Sequence, residues 1–442
     1  MKAIIVPGVT DLNKGDQALV WESHRLVKDT GLYSQIFIVT NGDTEEEKNL
    51  LCGQSKEKGY NFLENILKHP RRGSHNQQET IEESKLSLFR QVRNALSDLI
   101  SRSFLLLICN NQRLVKALYS DEVYDTIRNF NSADAVFVKG GGFIHAYGER
   151  TAPYLMWFFL FYVRLAKRLN KKVVFFPNSF GPFEGHTVKK QVRNVLKKVD
   201  IIYAREKVSA EKLGDLLNRK IPVEMDLGFF LKSGNEQRTQ ELLKKYGFSI
   251  EDKIVGITIR PWRFPGSDNP KKLFENYINS VESLVNHIVA LDYKVAFCNQ
   301  SLGPNSHEDD RHAIRELIRR CDHASVVWID ENLTCDDLKA LYSNFHFFVG
   351  TRFHSVIFSM TSLVPSIAIG YGGNKAKGIM GDFNLNDYVT QIEKVSSSQL
   401  TSMFDKAMLN YDNIKLKLRE NTDKIEESRS RIIEDILSLY NG

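Results

Sequence analysis

The sequence predicts an α/β fold of two domains, each built on an open, mostly parallel β-sheet covered by helices. Three observations carry that expectation. Short apolar, β-rich runs alternate with helical stretches over most of the chain. The alternation lapses around residues 226–240 and then begins again, which places a linker between two series. A length of 442 residues also suits two packed domains. The boundaries are set at 1–230 and 231–400, with a charged helical tail over 401–442.

In the first series Lys2–Val6 predicts a strand and Pro7-Gly8 a turn. The polar loop Asp11–Asp16 then leads into a helix, Gln17–Val27, read from its Ala18, Leu19, Val20, Trp21 and Leu26 pattern. Gln35–Thr40 is a second strand. Residues from about 45 to 130 are charged and helical, with a break at 69–78, and are too long for a crossover. They are expected to form a helical insertion. Asp134–Val138 is a strand that runs into Lys139-Gly140-Gly141-Gly142, where consecutive glycines allow close approach of a ligand or a neighbouring domain. The spacing is not G-x-G-x-x-G, so a dinucleotide site does not fit. An aromatic helix follows over Pro153–Leu169 and is read as buried in preference to one that touches a membrane or partner. Its apolar core, Tyr154–Val163, falls well short of the roughly 20 residues that cross a bilayer. The strand Lys172–Pro177 ends in a loop over Asn178–Phe183, and the strand Asp200–Tyr203 ends at Ala204-Arg205-Glu206.

In the second series Lys253–Ile259 ends at Arg260, and a helix from Pro270 buries Leu273, Tyr277, Ile278, Val281, Leu284, Val285 and Ile288. Lys294–Cys298, Ser325–Ile329, Phe345–Val349 and Ser366–Ile369 complete the strands. After Phe345–Val349 the chain turns through Gly350-Thr351, with Thr351 expected to cap a helix that starts near Phe353. Arg352 and His354 are thereby set where a strand ends and a helix begins, a place that already favours an anion.

Composition narrows the functional classes. Lys plus Arg number 60 against 54 Asp plus Glu, a net +6 spread over the whole chain. That balance suits an anionic substrate or a transient visit to an acidic membrane surface better than nucleic acid. The five cysteines are odd in number and lack C-x-x-C spacing, which points to a reduced, cytoplasmic setting. No leader is read ahead of Lys2–Val6. No metal site is expected, because His307, His312 and His323 lack ligand spacing, and the pairs Asp309-Asp310 and Asp330-Glu331 read as solvated loop acids. No G-x-S-x-G elbow is present.

In open parallel sheets, ligands bind beyond the carboxyl ends of the strands. Arg205, Arg260, Arg352, His354 and Lys375 each follow a strand end, so five basic side chains from two domains are expected around one anion. Asp16 is read either as a group that orients a hydroxyl or as a helix N-cap.

Several short pieces, in this order, make the chain resemble the polysaccharide pyruvyl transferase family. They are Asn13-Lys14-Gly15-Asp16, Gly140-Gly141-Gly142, Asn178-Ser179-Phe180-Gly181-Pro182, Tyr203-Ala204-Arg205-Glu206, Gly256-Ile257-Thr258-Ile259-Arg260, Gly350-Thr351-Arg352-Phe353-His354 and Tyr371 through Lys375 to Gly378. The resemblance implies two Rossmann-like domains facing a cleft, as in GT-B glycosyltransferases, with the carboxy-terminal helix crossing back to the first domain. It implies transfer of the enolpyruvyl group of phosphoenolpyruvate to two hydroxyls of a sugar during capsule or exopolysaccharide synthesis, with no further cofactor. Arg205, Arg352, Arg260 and Lys375 would bind the donor, and His354 and Lys375 would be catalytic. Asn13, Asp16, Gly141, Gly142 and Asn178 would lie on the acceptor side. A lipid-diphosphate-linked acceptor and peripheral contact with the inner face of the membrane are further expectations. The rival is a nucleotide-sugar glycosyltransferase of the same shape, which would need carboxylates for a ribose and a pocket for a base. A glycan-binding scaffold would not need the cations and the histidine.

Overall fold

A computed structural model describes residues 1–68, 88–249, 251–372 and 375–441, and of Leu88 and Lys375 the backbone alone. Among these residues one seven-stranded sheet is made of β1 (Lys2–Val6), β2 (Gln35–Val39), β3 (Asn61–Leu63), β4 (Ala135–Val138), β5 (Gly141–Tyr147), β6 (Lys172–Glu184) and β7 (Ile201–Ala204). Its order is β3-β2-β1-β4-β6-β5, with β7 also on β6, and every pair is parallel. A six-stranded sheet is made of β8 (Ile254–Thr258), β9 (Lys294–Cys298), β10 (Val326–Ile329), β11 (Phe347–Gly350), β12 (Ser366–Gly370) and β13 (Val389–Gln391), in the order β10-β9-β8-β11-β12-β13. It too is wholly parallel.

Parallel strands covered by helices on both faces must be apolar on both faces. β8 and β12 are buried at all five positions, as that rule requires. The long helix Pro270–Ala290 is capped by Asn269, whose side chain accepts from the Lys272 N–H. It buries Tyr277, Ile278, Val281, Leu284, Val285 and Ile288, with Leu273 half-buried beside them.

Both sheets reverse their direction of growth at one point. In the first, the chain leaves β1 on one side and β4 on the other; in the second the same happens at β8 and β11. A crevice opens at the carboxyl end of strands that part in this way. The loops after β1, β4, β8 and β11 are therefore the ones that topology assigns to a ligand.

Several local expectations change. The stretch 45–130 is not wholly helical: Asn61–Leu63 adds an edge strand between the helices Glu45–Glu57 and Leu88–Ile108, three residues being too few to show a period. The expected break at 69–78 lies outside the described residues. The strand ending at Pro177 runs on as β6 to Glu184, because β5 and β7 flank and pair with it. The aromatic helix divides at Leu160 (φ −91°, ψ 0°) into Ala152–Phe159 and Phe161–Arg168. Thr351 is not the cap: Arg352 holds that position without a side-chain bond, and the Thr351 hydroxyl pairs with that of Tyr277 at 2.7 Å.

The linker is part of the core. Leu227–Phe230 forms a buried 3₁₀ turn, and Phe229 stacks on Phe383 with ring centroids 5.2 Å apart. Among the described residues no helix is long and apolar enough to cross a membrane. The final helix, Thr422–Ser438, returns to the first sheet. There Asp435 accepts from the Tyr203 hydroxyl at 2.6 Å, and Arg431 forks onto Glu224 at 2.9 and 3.0 Å. Ile432 and Ile436 are fully buried on its inner face. Truncating a buried isoleucine removes its transfer free energy and leaves a cavity, so Ile432→Ala is expected to cost about 2–4 kcal/mol in a urea titration. Leu409→Ala, at a position 87% exposed, is expected to stay within about 0.5 kcal/mol of wild type.

Candidate active site

The crevice between the sheets holds a cavity of about 1360 Å³. Arg205, Arg260, Arg352, His354, Asn13, Asp16, Gly141 and Gly142 all line it. Lys375 opens the helix Lys375–Asp382, and its side chain lies outside the described residues. Lys377, two residues on, faces the cavity, as do Lys207 and Lys212. Asn178 does not reach the wall. It is buried beneath the glycine loop, where its side-chain amide donates to the carbonyls of Lys139 and Phe176, each at 2.8 Å. Asn178 therefore holds the backbone that shapes the site instead of touching what enters it.

Asp226 joins the two halves. Its carboxylate, fully buried, accepts from Arg205 Nη1 at 2.7 Å through Oδ2 and stands 3.4 Å from His354 Nε2 through Oδ1. A second bond, from Arg205 Nε to the Ser179 hydroxyl oxygen at 2.7 Å, fixes the guanidinium plane. Arg205 Nη2 is then turned toward Gly142, where an added Cβ would come within 2.8 Å of it. Gly15 is required by the same packing: a Cβ there would stand 2.4 Å from His354 Nδ1.

On the other wall Arg352 is nearly inaccessible and needs partners to remain charged. Its Nε donates to Asp310 at 2.8 Å and its Nη1 to Glu308 at 2.6 Å. Burial pushes Asp310 up to about 6, against the pull of Arg352 and two backbone N–H groups. Burial also works to raise Glu308, but Arg352 and Arg260 hold it below the usual carboxylate range. Glu308 pairs with Arg260 as well, and Arg260 lies against the faces of Tyr371 and Trp262, 4.3 and 4.8 Å from their centroids. The expectation that Asp309-Asp310 is a solvated pair is thus overturned, since Asp310 is the counter-charge of a buried arginine. Asp16 is not the N-cap of the helix Lys14–Asp29. Asn13 accepts from the Gly15 and Asp16 N–H groups, and Asp16 is held by Lys139 and the Thr10 N–H.

The family model for polysaccharide pyruvyl transferases matches residues 13–373, which include every one of these groups except Thr10, Lys375 and Lys377. The chain belongs to the polysaccharide pyruvyl transferase family. Its relatives include the amylovoran biosynthesis protein AmsJ of Erwinia amylovora, 22% identical over 327 residues that cover 72% of this chain and 75% of AmsJ. In three dimensions it is similar to a glycosyltransferase from Rickettsia africae (TM-score 0.54, 13% identity, 100% and 99% of the two chains covered). It is also similar to S. aureus MnaA in complex with UDP (TM-score 0.57, 11% identity, 100% and 97% covered). At such identities the likeness is one of fold, and the fold is that of the GT-B glycosyltransferases: two Rossmann-like domains with parallel sheets. A member of this family is a transferase.

Sequence reasoning gave no role to Asp226, Gly15 or Glu308 in this transferase and misread Asp310 as a solvated loop acid. Asp226 carried a signal, a lone acid ahead of the apolar run Leu227–Leu231 that the turn buries. Gly15 yields the sharpest test of the geometry. Gly15→Ala must displace the imidazole, so activity is expected to fall by about 10²-fold or more while the melting temperature moves only slightly. Activity near wild type, measured beside a normal melt, would show that the ring has room to spare.

Proposed function

We propose that the protein transfers the enolpyruvyl group of phosphoenolpyruvate to two hydroxyls of a sugar, giving a pyruvate ketal and free phosphate, in the synthesis of a surface polysaccharide. The observation that carries this reading is the convergence of Arg205, Arg260, Arg352 and His354 on one cavity. The donor has a carboxylate and a phosphate of about −1.5 to −2 charge, and needs several fixed cations. Protonation of its methylene carbon leaves C2 cationic, and a sugar hydroxyl adds there. A second hydroxyl then closes the ketal as the phosphate departs with the C–O electron pair. Each step moves a proton; His354, oriented by Asp226, is assigned to carry it, with Lys375 the other candidate. Asp16, positioned by Lys139, lies on the acceptor side.

The cavity is larger than the roughly 300–1,000 Å³ typical of small-ligand sites, which suits a three-carbon donor beside a saccharide. Arg260, Arg352, Glu308 and Asp310 together carry no net charge. The donor therefore competes with Glu308 for the two arginines, and draws on Arg205, Lys207, Lys212 and Lys377 from the opposite side. Asp310 stays with Arg352 throughout.

Two expectations follow for purified protein supplied with phosphoenolpyruvate and lipid-linked saccharides. His354→Ala is expected to lower turnover by about 10²–10⁴-fold with the fold retained, read as phosphate release and as ketal mass on the product; turnover like wild type refutes the assignment. Glu308→Gln is expected to lower the KM for phosphoenolpyruvate several-fold, and a raised KM would mean that Glu308 positions the arginines instead of competing for them. The UDP complex of a similar fold favours one alternative, a nucleotide-sugar glycosyltransferase. Stabilisation by UDP-sugars and none by phosphoenolpyruvate in a thermal-shift titration would favour it.

A further inference from the structure

The helix Leu88–Ile108 carries an apolar stripe on the wrong side. Phe89, Val92, Leu96, Ile100, Phe104 and Leu107 are all exposed, Phe89 to 76%, Ile100 to 71% and Leu107 to 63%. At 100° per residue they fall within an arc of about 120° and run for roughly 27 Å. The helix meets the protein through the opposite face, where Asp98 and Leu105 are buried. Leu114 and Leu118 on the next helix, Gln112–Leu118, are exposed as well. Stable soluble proteins seldom leave so continuous an apolar strip in water without a use for it.

The charges say what covers it. Residues 88–118 contain five basic side chains, Arg90, Arg93, Arg102, Arg113 and Lys116, against one acid, the buried Asp98. Arg90, Arg93, Arg113 and Lys116 are exposed, with Arg93 inside the arc of the stripe and Arg90 just outside it. Two copies meeting through this face would bring like charges together. The segment before the helix, 69–87, offers only Pro70, Ile81 and Leu86 as apolar side chains, a poor match in composition to the strip. An apolar face rimmed by cations is the chemistry of a helix that lies in the interface of an anionic bilayer. We propose that this helix docks the protein on anionic lipid, with the stripe among the acyl chains and the arginines at the headgroups. The inference does not depend on which group the enzyme transfers.

Flotation of the full chain with phosphatidylcholine vesicles, with and without about one-third phosphatidylglycerol, tests it. Wild type is expected to float with the anionic vesicles, and the Leu96→Glu/Ile100→Glu double variant about tenfold less, at an unchanged melting temperature. Arg90→Glu/Arg93→Glu is expected to remove the preference for anionic lipid. Because the five native cysteines are buried, Ile100→Cys can be labelled selectively with an environment-sensitive dye. Its emission should rise and shift to the blue when anionic vesicles are added. Wild type left unbound, a double variant that floats equally well, or an unresponsive dye overturns the proposal. So does a dimer in sedimentation equilibrium that the double variant splits, since the stripe would then be a contact between copies.

Discussion

The buried carboxylate of Asp226 is the constraint on which the site depends. It comes from the turn that joins the two sheets, and it faces an arginine from the first sheet and a histidine from the second at once. A carboxylate without solvent must keep at least one cation beside it. Asp226 therefore cannot satisfy its own burial unless the halves stand in the relation that also assembles the cavity. Electrostatics here sets geometry more than it adds stability, because the cost of desolvating such a pair is comparable to the Coulombic gain.

The topology makes that meeting possible. Each sheet has one place where its neighbouring connections diverge, and the groups of the site stand at those two places, except Arg205, which follows β7. Asp16 follows β1 and the glycines follow β4, while Arg260 follows β8 and Arg352 and His354 follow β11. Glycine is needed where the two crevices touch. Gly15 lies under the imidazole of His354, and Gly228 lies on its other side, where a Cβ would come 3.1 Å from the ring. The histidine packs against backbone of the first half at Gly15 and of the linker turn at Gly228, so its position is set by packing as well as by Asp226.

Much of this was legible from residue order alone, and for a physical reason. Strands buried on both faces are unbroken apolar runs, so Lys2–Val6, Lys294–Cys298 and Ser366–Ile369 announced themselves within a residue or two. Once strands are known, the rule about carboxyl ends picks out Arg205, Arg260, Arg352 and His354 without any tertiary information. What stayed hidden needed the partner to be seen. Asp310 looks like a loop acid until Arg352 is found against it, and Asp226 looks like linker until the turn is found inside the core. Asn178 belongs to the right motif yet supports the wall from behind. The edge strands β3 and β13 are three residues each, below the length at which a period of two can be told from chance.

The helix Lys14–Asp29 connects the site to the joint between the halves. Lys14, buried at its first turn, donates to the Asp11 carbonyl at 2.6 Å, Gln54 Oε1 at 2.9 Å and Asn332 Oδ1 at 2.7 Å. Loss of water pushes its ammonium down to about 8. One turn on, Gln17 Oε1 accepts from the Cys335 N–H at 2.7 Å, and further along Arg25 donates to the Phe230 carbonyl. Three side chains of one helix thus grip the second half or the linker, while Asp16 lines the cavity and Gly15 packs against His354. A rotation of one half against the other would have to carry this helix with it, and would change the seat of His354 before it changed anything else. The site and the joint are built from the same turns of helix, so the catalytic geometry cannot be separated from how the two halves are held.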